Sequence, residues 1–263
     1  MIKVADQAWR RRHKAGKNLL LNSPIEVIAK CDVKPIIIFV HTGKCAGESI
    51  IKAVRKAFSK EVTVIEYHCF DANRLIRELL TNRSGGSIPG NRELTFMVAT
   101  RDPVNRWVSS FNWDLHQRFL RKSISPSGGY RKYPKVYDLA KGICNKEKFA
   151  LSFGKSGHMG MGVSWYLPMD VLPSLVKHPV YVIRMEHLND DFNLFASDFA
   201  QRVNYTFHKP PALLPKTKDN YKASYPNDTF GDLKSITNQE MEALRNFLGA
   251  DYEVSRYLQN LEK

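Results

Sequence analysis

The sequence predicts a single α/β domain in which a central parallel sheet is flanked by helices. Short apolar runs, of the kind that form strands buried on both faces, alternate with segments whose apolar residues recur at helical spacing. This alternation is typical of parallel sheets built from right-handed crossovers. The 263 residues suffice for one such domain with a full core, or for two small ones, and no internal repeat or low-complexity linker divides them.

The elements of the first half follow from these patterns in chain order. The run 36–40 is wholly apolar, and Ile50 and Val54 then recur at helical spacing. Asp102 is well placed as the N-cap of a helix whose first residue is Pro103. The predicted elements are a strand at 36–40, a helix at 49–58, a strand at 62–65, a helix at 71–80, a strand at 94–99 and a helix that begins at residue 103.

The second half is predicted to add one strand and three helices to the domain. Between the halves, residues 123–135 form a basic insertion, and residues 154–162, with four glycines, are predicted to be mobile. The remaining predicted segments are a strand at 180–184, a helix ending near residue 203, helices at 238–248 and 251–261, a basic N-terminal lead-in at 1–34 and the domain itself at 35–263.

Charge and cysteine content restrict the partners and the compartment. The net charge of +14 favours anionic partners, namely nucleotides, acidic glycans, nucleic acid or an anionic membrane surface, without choosing among them. No apolar run approaches the roughly 20 residues that cross a bilayer, so we expect no transmembrane anchor and a cytoplasmic location. The four cysteines match no zinc spacing and are interpreted as reduced thiols.

The turn after the first strand has the composition of an anion-binding loop. It reads His-Thr-Gly-Lys-Cys-Ala-Gly-Glu-Ser over residues 41–49. Ala46 and Gly47 leave the backbone N–H groups accessible at a helix N-terminus, and Lys44 adds a positive charge. The spacing is not that of a Walker A loop, which needs a glycine five residues before Gly43. The alternative is an ordinary strand-to-helix turn with an exposed lysine.

The turn after the third strand offers a second place for a phosphate. Arg101 follows the strand directly, and Ser109 lies two helical turns into the next helix. A guanidinium can clamp a phosphate with two hydrogen bonds, and a hydroxyl can add another. A ligand with phosphates at two ends would need both turns. The alternative is that Arg101 pairs with Asp102 or another carboxylate and that Ser109 is solvated.

A third polar segment, Glu66-Tyr67-His68, follows the second strand. Because the carboxyl ends of parallel strands share one edge, we expect this segment to meet the other two turns. An imidazole titrates near pH 6.5, which suits His68 to proton transfer, and Glu66 is the rival base. The alternatives are a structural histidine and an ion-paired glutamate.

Together the two phosphate-binding segments resemble the signature loops of sulfotransferases that use 3′-phosphoadenosine 5′-phosphosulfate (PAPS). The closest likeness is to the carbohydrate type, whose first loop usually reads His-x-Pro-Lys-Thr-Gly-Gly-Thr-Ser. The resemblance implies a P-loop nucleotide-kinase-like fold and transfer of sulfuryl from PAPS to a hydroxyl of a carbohydrate or glycolipid. It implies no metal, and no nucleic acid partner is expected. A Golgi-lumenal location would need an N-terminal anchor outside these residues.

The resemblance also implies residue roles. Lys44 would stabilise the leaving group, His68 would be the base in preference to Glu66, and His158 would line the acceptor cleft unless it is an exposed loop histidine. Residues implied to bind the 5′-phosphosulfate are Lys44, Ala46, Gly47, Glu48 and Ser49, and those implied to bind the 3′-phosphate are Arg101 and Ser109.

The chain departs from the family pattern at four positions of the first loop. Gly43, Cys45, Ala46 and Glu48 stand where proline, threonine, glycine and threonine are usual. The Glu48 carboxylate would repel a phosphosulfate unless its side chain points outward.

Two other functions compete with the sulfotransferase interpretation. One is a nucleotide-dependent kinase of similar sheet architecture, which would depend on ATP and magnesium. The other is a module that binds polyanions without catalysis, whose affinity would fall steeply with salt. The basic insertion, with Arg121, Lys122, Arg131, Lys132 and Lys135, could bind an acidic glycan or be a solvated surface loop.

Overall fold

A computed structural model describes residues 28, 35–58, 61–68, 72–81, 93–207, 225–226 and 229–262. Of the predicted lead-in at 1–34, the structure describes only Ile28. The rest of the lead-in lies outside the described residues. In the part of the chain described, no helix is both long enough and apolar enough to cross a membrane. The cysteines within it, Cys45 and Cys144, are free thiols.

Four parallel strands form the central sheet, as the sequence predicts. They are β1 (Ile36–Val40), β2 (Thr63–Tyr67), β3 (Leu94–Thr100) and β4 (Val180–Arg184). Their order is β2-β1-β3-β4, so the chain leaves β1 toward one edge and β3 toward the other. Such a reversal opens a crevice between β1 and β3 at their carboxyl ends, where ligands of α/β sheets bind.

The second strand differs most from its predicted bounds, and the third ends one residue later than predicted. The second strand was expected to end at residue 65, but Glu66 and Tyr67 continue it and pair with Phe39 and Val40 of β1. Glu66 is polar yet buried, because its carboxylate has a partner, His41, at the end of β1. The polar residue therefore did not mark the end of the strand.

Helices cover both faces of the sheet and form a third core beside it. They are α1 (Gly47–Phe58), α2 (Ala72–Thr81), α3 (Pro103–Arg118), α4 (Gly129–Lys132), α5 (Val136–Cys144), α6 (Lys148–Phe153), α7 (Gly157–Gly160), α8 (Val163–Tyr166), α9 (Leu172–Leu175), α10 (Leu188–Arg202), α11 (Asn238–Phe247) and α12 (Gly249–Gln259).

The alternation of side chains along β1 assigns each helix layer to one face. Ile36 and Ile38 pack with α2, α8, α9 and α12. Ile37 and Phe39 pack with α1 and α10 on the opposite face. A third cluster, built on Trp107 of α3, joins α3 to α4, α5, α6 and α11. Helices α3 and α11 of this layer were predicted, but its other helices were missed, because no helix was predicted in residues 123–175, where six short helices lie.

The start of α3 and the glycine-rich segment are both fixed by side-chain hydrogen bonds. Asp102 caps the helix as predicted, since its Oδ1 accepts from the backbone N–H of Asn105 at 2.8 Å. The segment 154–162, predicted to be mobile, carries α7. Buried Arg106 donates to the carbonyl oxygens of His158 at 2.9 Å and Met159 at 2.7 Å. Arg106 thereby ties α7 to α3.

Candidate active site

The three polar segments predicted to share one edge of the sheet do meet there. His68 Nδ1 lies 2.9 Å from the carbonyl oxygen of His41, which joins the end of β2 to the end of β1. Arg101 Nη1 donates to the carbonyl oxygen of Lys44 at 3.4 Å, which joins the end of β3 to the same turn. The turn after β1 is thus the centre of the candidate site, with His68 on one side and Arg101 on the other.

The turn after β1 forms a cradle of backbone N–H groups. Lys44 and Ala46 adopt left-handed conformations, with φ of 68° and 59°. In the described part of the chain, the N–H groups of Cys45, Ala46, Gly47 and Glu48 donate no hydrogen bond. The last two open α1, where the helix dipole favours negative charge. Such a nest of N–H groups suits an anion, in particular a phosphate or sulfate.

Two glycines allow this cradle to lie against histidine rings. A Cβ on Gly47 would lie 1.9 Å from His41 Nε2, so only glycine fits there without a shift of the imidazole. A Cβ on Gly43 would lie 3.9 Å from both His68 Cε1 and His158 Cδ2. Two imidazoles from distant parts of the sequence therefore lie near Gly43 on one side of the turn, at distances that a Cβ there would tolerate.

The side chains at the other departures from the family pattern do not oppose an anion. Glu48 is exposed in the first turn of α1, where a carboxylate also interacts favourably with the helix dipole. Cys45 is fully buried, and burial raises the pKa of its thiol to about 12. The thiol is neutral at physiological pH, so it adds no negative charge to the cradle.

Arg101 supplies a cation that forms no ion pair within the described residues, although the carboxylates of Glu186 and Asp102 lie near enough to act on its charge. Among the described residues its guanidinium forms no ion pair, contrary to the alternative that it pairs with Asp102. The Asp102 carboxylate instead caps α3 and accepts from the Tyr252 hydroxyl at 3.0 Å. Burial lowers the pKa of Arg101 from its usual value, although an arginine stays charged in proteins. A half-buried, unpaired guanidinium is suited to receive an anion.

Lys44 contacts helix α3 at Trp113, a residue that was not predicted to belong to the site. Lys44 Nζ lies 4.0 Å from the centre of the Trp113 ring, within the range of a cation–π interaction. Ser109 is one turn before Trp113 on α3, so the two share a helix face. Ser109 is half-buried and makes no side-chain hydrogen bond within the residues described. The sequence did offer one indication of Trp113, because it lies four residues after Ser109 and therefore on the same helix face.

His68 is held as a neutral imidazole whose Nε2 can accept a proton. Burial, and next the nearby His41 ring, lower the pKa of His68 to about 3. The two rings stack with centroids 4.0 Å apart. Because the His41 carbonyl oxygen can only accept, the proton is assigned to His68 Nδ1, which leaves the Nε2 lone pair available.

Glu66, the rival base, is engaged by a different histidine. Its Oε1 lies 2.7 Å from His41 Nδ1, and both side chains are about 10% exposed. The contact with Glu66 orients the His41 ring, which lies against Gly47 and stacks on His68. His41 was not assigned a role from the sequence, although it is the first residue after β1.

His158 is fixed by Asp114 of α3. Asp114 accepts a hydrogen bond from His158 Nδ1 and another, at 3.2 Å, from the His158 backbone N–H. Asp114 is only 2% exposed, and His158 is partly buried. His158 is therefore a positioned side chain at the edge of the turn rather than a solvated loop histidine. Asp114 carried no sequence signal, since 44 residues separate it from its partner.

A cavity of about 370 Å³ opens on the Arg101 side of the site. It lies between the carboxyl ends of β3 and β4 and helix α12. Arg184 at its wall is held by Asp191, with Nη2 and Oδ1 2.6 Å apart. The residues that line the cavity include the carboxylates Asp102 and Glu186 beside Thr100, Arg101, Arg184, His187, Tyr252 and Arg256.

The edge thus carries an anion cradle, an unpaired arginine, two positioned imidazoles and an adjoining cavity. In the residues that the structure describes, no three histidine, cysteine or carboxylate side chains are grouped to hold a metal. Comparisons with protein-family models, with curated proteins and with solved structures found no match to this chain. The fold is an α/β fold with a four-stranded parallel sheet, and the candidate anion site lies at the carboxyl ends of its strands, beside the switch point between β1 and β3.

Proposed function

We propose that the protein is a PAPS-dependent O-sulfotransferase of the carbohydrate type, with a P-loop nucleotide-kinase-like fold. One observation carries the proposal. The N–H cradle with Lys44 and the unpaired guanidinium of Arg101 adjoin each other at a single sheet edge, and a neutral His68 borders the cradle. PAPS has anionic groups at two ends, which the cradle and Arg101 would receive.

The residues present fit this donor. Lys44 and the backbone from Ala46 to Ser49 would hold the 5′-phosphosulfate, and Arg101 with Ser109 would hold the 3′-phosphate. The cavity beside Arg101 has a volume within the range of small-molecule sites and would admit the nucleoside. The exposure of Glu48 removes the main objection raised by the sequence.

The proposed reaction is an in-line displacement at sulfur. The acceptor oxygen forms a bond to sulfur, and the bond between sulfur and the bridging phosphate oxygen breaks, with its electron pair leaving on that oxygen. His68 Nε2 takes the proton of the acceptor hydroxyl, and Lys44 stabilises the negative charge that develops on the leaving phosphate. Glu66 acts indirectly, through His41.

His158 would face the acceptor, which we expect to be a carbohydrate or a glycolipid. It stands across Gly43 from His68, and Asp114 orients it by hydrogen bonds to both its ring and its backbone. A side chain fixed in this way can bind an acceptor hydroxyl without loss of its own rotational freedom. A cytoplasmic location remains part of the proposal.

Ligand-dependent thermal stability tests the donor site. At a hundred times its dissociation constant, 3′-phosphoadenosine 5′-phosphate should add about 2.7 kcal/mol, or roughly 5–10 °C in Tm, and 5′-AMP should add much less. Arg101→Ala removes a charge-assisted contact of about 1.5–3 kcal/mol and should abolish most of the shift. Arg74→Ala, at an exposed arginine of α2, is the matched control and should keep it.

The same measurement separates the competing functions. A larger shift with ATP and magnesium than with the bisphosphate would favour the kinase. No shift with any nucleotide would favour the polyanion-binding module. Either result would overturn the sulfotransferase proposal.

A further inference from the structure

His158 and Asp114 form a couple of side chains that has no part in the proton transfer of the proposed reaction. Asp114 Oδ1 accepts a hydrogen bond from His158 Nδ1, and the carboxylate side chain is only 3% exposed, whereas the imidazole side chain is 33% exposed. A buried carboxylate on Nδ1 fixes the tautomer of a histidine and stabilises the imidazolium that forms when Nε2 takes a proton. The couple is therefore built like an acid–base pair whose imidazole end reaches solvent.

The backbone around His158 is held as firmly as its ring. The His158 N–H donates to Asp114 Oδ2 at 3.2 Å, and the His158 carbonyl oxygen accepts from Arg106 at 2.9 Å. Gly157 has a φ of 56°, and a Cβ there would lie 2.6 Å from Asp114 Oδ2, so the close approach of the carboxylate requires a glycine. These contacts fix the position of His158 Nε2, and a defined position is the first requirement for proton transfer.

The other charged groups around the couple leave the Asp114 carboxylate in control of the His158 ring. Arg118 Nη2 lies 3.8 Å from Asp114 Oδ2, but the Arg118 side chain is 52% exposed, so solvent weakens this ion pair. Burial, and next the nearby Asp114 charge, raises the pKa of Tyr130, so its phenol stays neutral. The buried guanidinium of Arg106 lies 3.9 Å from Asp251 Oδ2, which offsets its positive charge.

His68 and His158 face each other across the turn after β1. A Cβ on Gly43 would lie 3.9 Å from His68 Cε1 and 3.9 Å from His158 Cδ2, and each of these carbons is bonded to Nε2 of its own ring. Both ring edges thus lie within van der Waals reach of one point beside the cradle. The charge of His158 also acts on His68. A single water molecule or an acceptor hydroxyl can bridge two groups placed in this way.

The two imidazoles differ in how well they can keep a proton. The His68 ring has the His41 carbonyl oxygen at 2.9 Å from Nδ1, and no carboxylate is hydrogen-bonded to it within the described part of the chain. Burial, and next the His41 ring, lowers the pKa of His68 to about 3. Asp114, in contrast, compensates a positive charge on His158. Two titratable groups whose surroundings differ in this way can divide the work of a proton transfer.

We propose that His158, positioned by Asp114, is a second catalytic residue that takes the acceptor proton on from His68 during sulfuryl transfer. The inference rests on the proposed function and deepens it. As the acceptor oxygen bonds to sulfur, its proton passes to His68 Nε2. His68 then gives this proton to a bridging water, which gives one of its own to His158 Nε2. His158 ends the step as an imidazolium beside the Asp114 carboxylate, and its exposed edge releases the proton to solvent.

Transfer of sulfuryl from PAPS to water tests the relay without requiring the identity of the acceptor. His158→Gln can still donate to Asp114 but cannot take a proton. His178→Gln is the matched control, because it removes a partly buried histidine near the amino end of β4. Release of 3′-phosphoadenosine 5′-phosphate from saturating PAPS would be measured in dilute buffer and again with added imidazole. The bisphosphate-dependent rise in Tm would be recorded for each variant as the readout of folding and of the donor site.

We expect His158→Gln to lower the rate at least about tenfold and to recover with imidazole, which can take the proton in its place. The thermal shift should persist, and the control should behave as the wild type. In a His68→Gln background, His158→Gln should cost little further, because the two residues act on one proton. A loss that imidazole does not restore, or losses that multiply in the double variant, would indicate a binding or structural role and overturn the relay.

A second measurement, which needs no turnover, tests Asp114 as the positioning residue. Heteronuclear NMR spectra of the histidine rings distinguish an Nδ1–H from an Nε2–H tautomer, and we expect the Nδ1–H form of His158 in the wild type. The amide of Asp114→Asn can donate as well as accept, so this variant should populate the Nε2–H form and lose the relay. An Nε2–H form in the wild type, or an unchanged tautomer in the variant, would overturn the proposal.

The outcomes separate the relay from the function on which it rests. If the wild type releases no bisphosphate from PAPS and shows no thermal shift, the sulfotransferase proposal fails and the relay fails with it. If the wild type releases bisphosphate and His158→Gln does so at the same rate, the relay alone is overturned.

Discussion

Replacement of His68 by glutamine should remove a large pH dependence from the stability of the fold. Burial lowers the pKa of folded His68 to about 3, whereas an unfolded histidine titrates near 6.5. As the pH falls, the unfolded state binds the proton first. The neutral His68 therefore imposes no penalty above pH 6.5, and stability is lost progressively between pH 6.5 and pH 3.

The size of this effect follows from the pKa difference. At 1.36 kcal/mol per unit of pH, the titration of His68 should cost about 2 kcal/mol between pH 7 and pH 5, which corresponds to roughly 4–8 °C in Tm. Other groups titrate over the same range, so the useful quantity is the difference between variants. His68→Gln should lose about 2 kcal/mol less than the wild type over these two units of pH.

Urea denaturation at pH 7, 6 and 5 measures this difference directly. Glutamine can still donate to the His41 carbonyl oxygen that now accepts from His68. Ser109→Ala is the control, because it changes the same site without removing a titratable group. Parallel loss of stability in wild type and His68→Gln would refute the assignment of His68 as a buried neutral imidazole, and with it the reasoning that makes it a base.

Four further substitutions test the cradle and its cations. Lys44→Ala and Arg101→Ala should each reduce sulfuryl transfer at least tenfold, and unchanged turnover in both would contradict the site assignment. Gly47→Ala should destabilise the fold by about 1–3 kcal/mol in urea denaturation, because its Cβ would lie 1.9 Å from His41 Nε2; wild-type stability would show that the imidazole can move aside. Ala46→Gly should stabilise the fold by up to about 1 kcal/mol, since φ is 59° there and a left-handed alanine is strained. A loss of stability in Ala46→Gly would mean that the alanine methyl packs usefully.

The sheet was predictable because its strands are almost pure apolar runs. The strands at 36–40 and 180–184 have the predicted bounds. The helices of residues 123–175 were not predictable from periodicity, because most are four to six residues long and show less than two turns of it. Their stability comes from tertiary packing rather than from local sequence, since α4 to α7 pack in the cluster around Trp107 and α8 and α9 pack against the sheet.

The residues of the site that directly follow strands were predictable from the sequence, whereas the contacts between distant segments were not. The left-handed turn, Arg101 and His68 each follow a strand, so sheet topology alone brings them to one edge. The contacts that define their chemistry link distant segments. The Tyr252 hydroxyl, which donates to the Asp102 carboxylate, lies 150 residues from Asp102 in sequence. No single-sequence pattern encodes such a pairing, so the absence of an ion pair at Arg101 among the described residues could only be read from the structure.

The low pKa of His68 gives the proposed reaction an order of events. A base with a pKa of about 3 accepts a proton weakly, which would be a poor property in a complete active site. An anionic donor on the neighbouring cradle favours the imidazolium and raises that pKa. The donor would therefore activate its own base, and an acceptor alone would meet an inactive His68. By linkage, His68 should add proton uptake to binding of the bisphosphate and should favour binding at pH 5 relative to the His68→Gln variant. Calorimetric titration in buffers of different ionisation enthalpy measures this uptake, and His68→Gln should abolish it; uptake that persists in the variant would assign the proton to another group, and binding without uptake would remove the reason for a donor-first order.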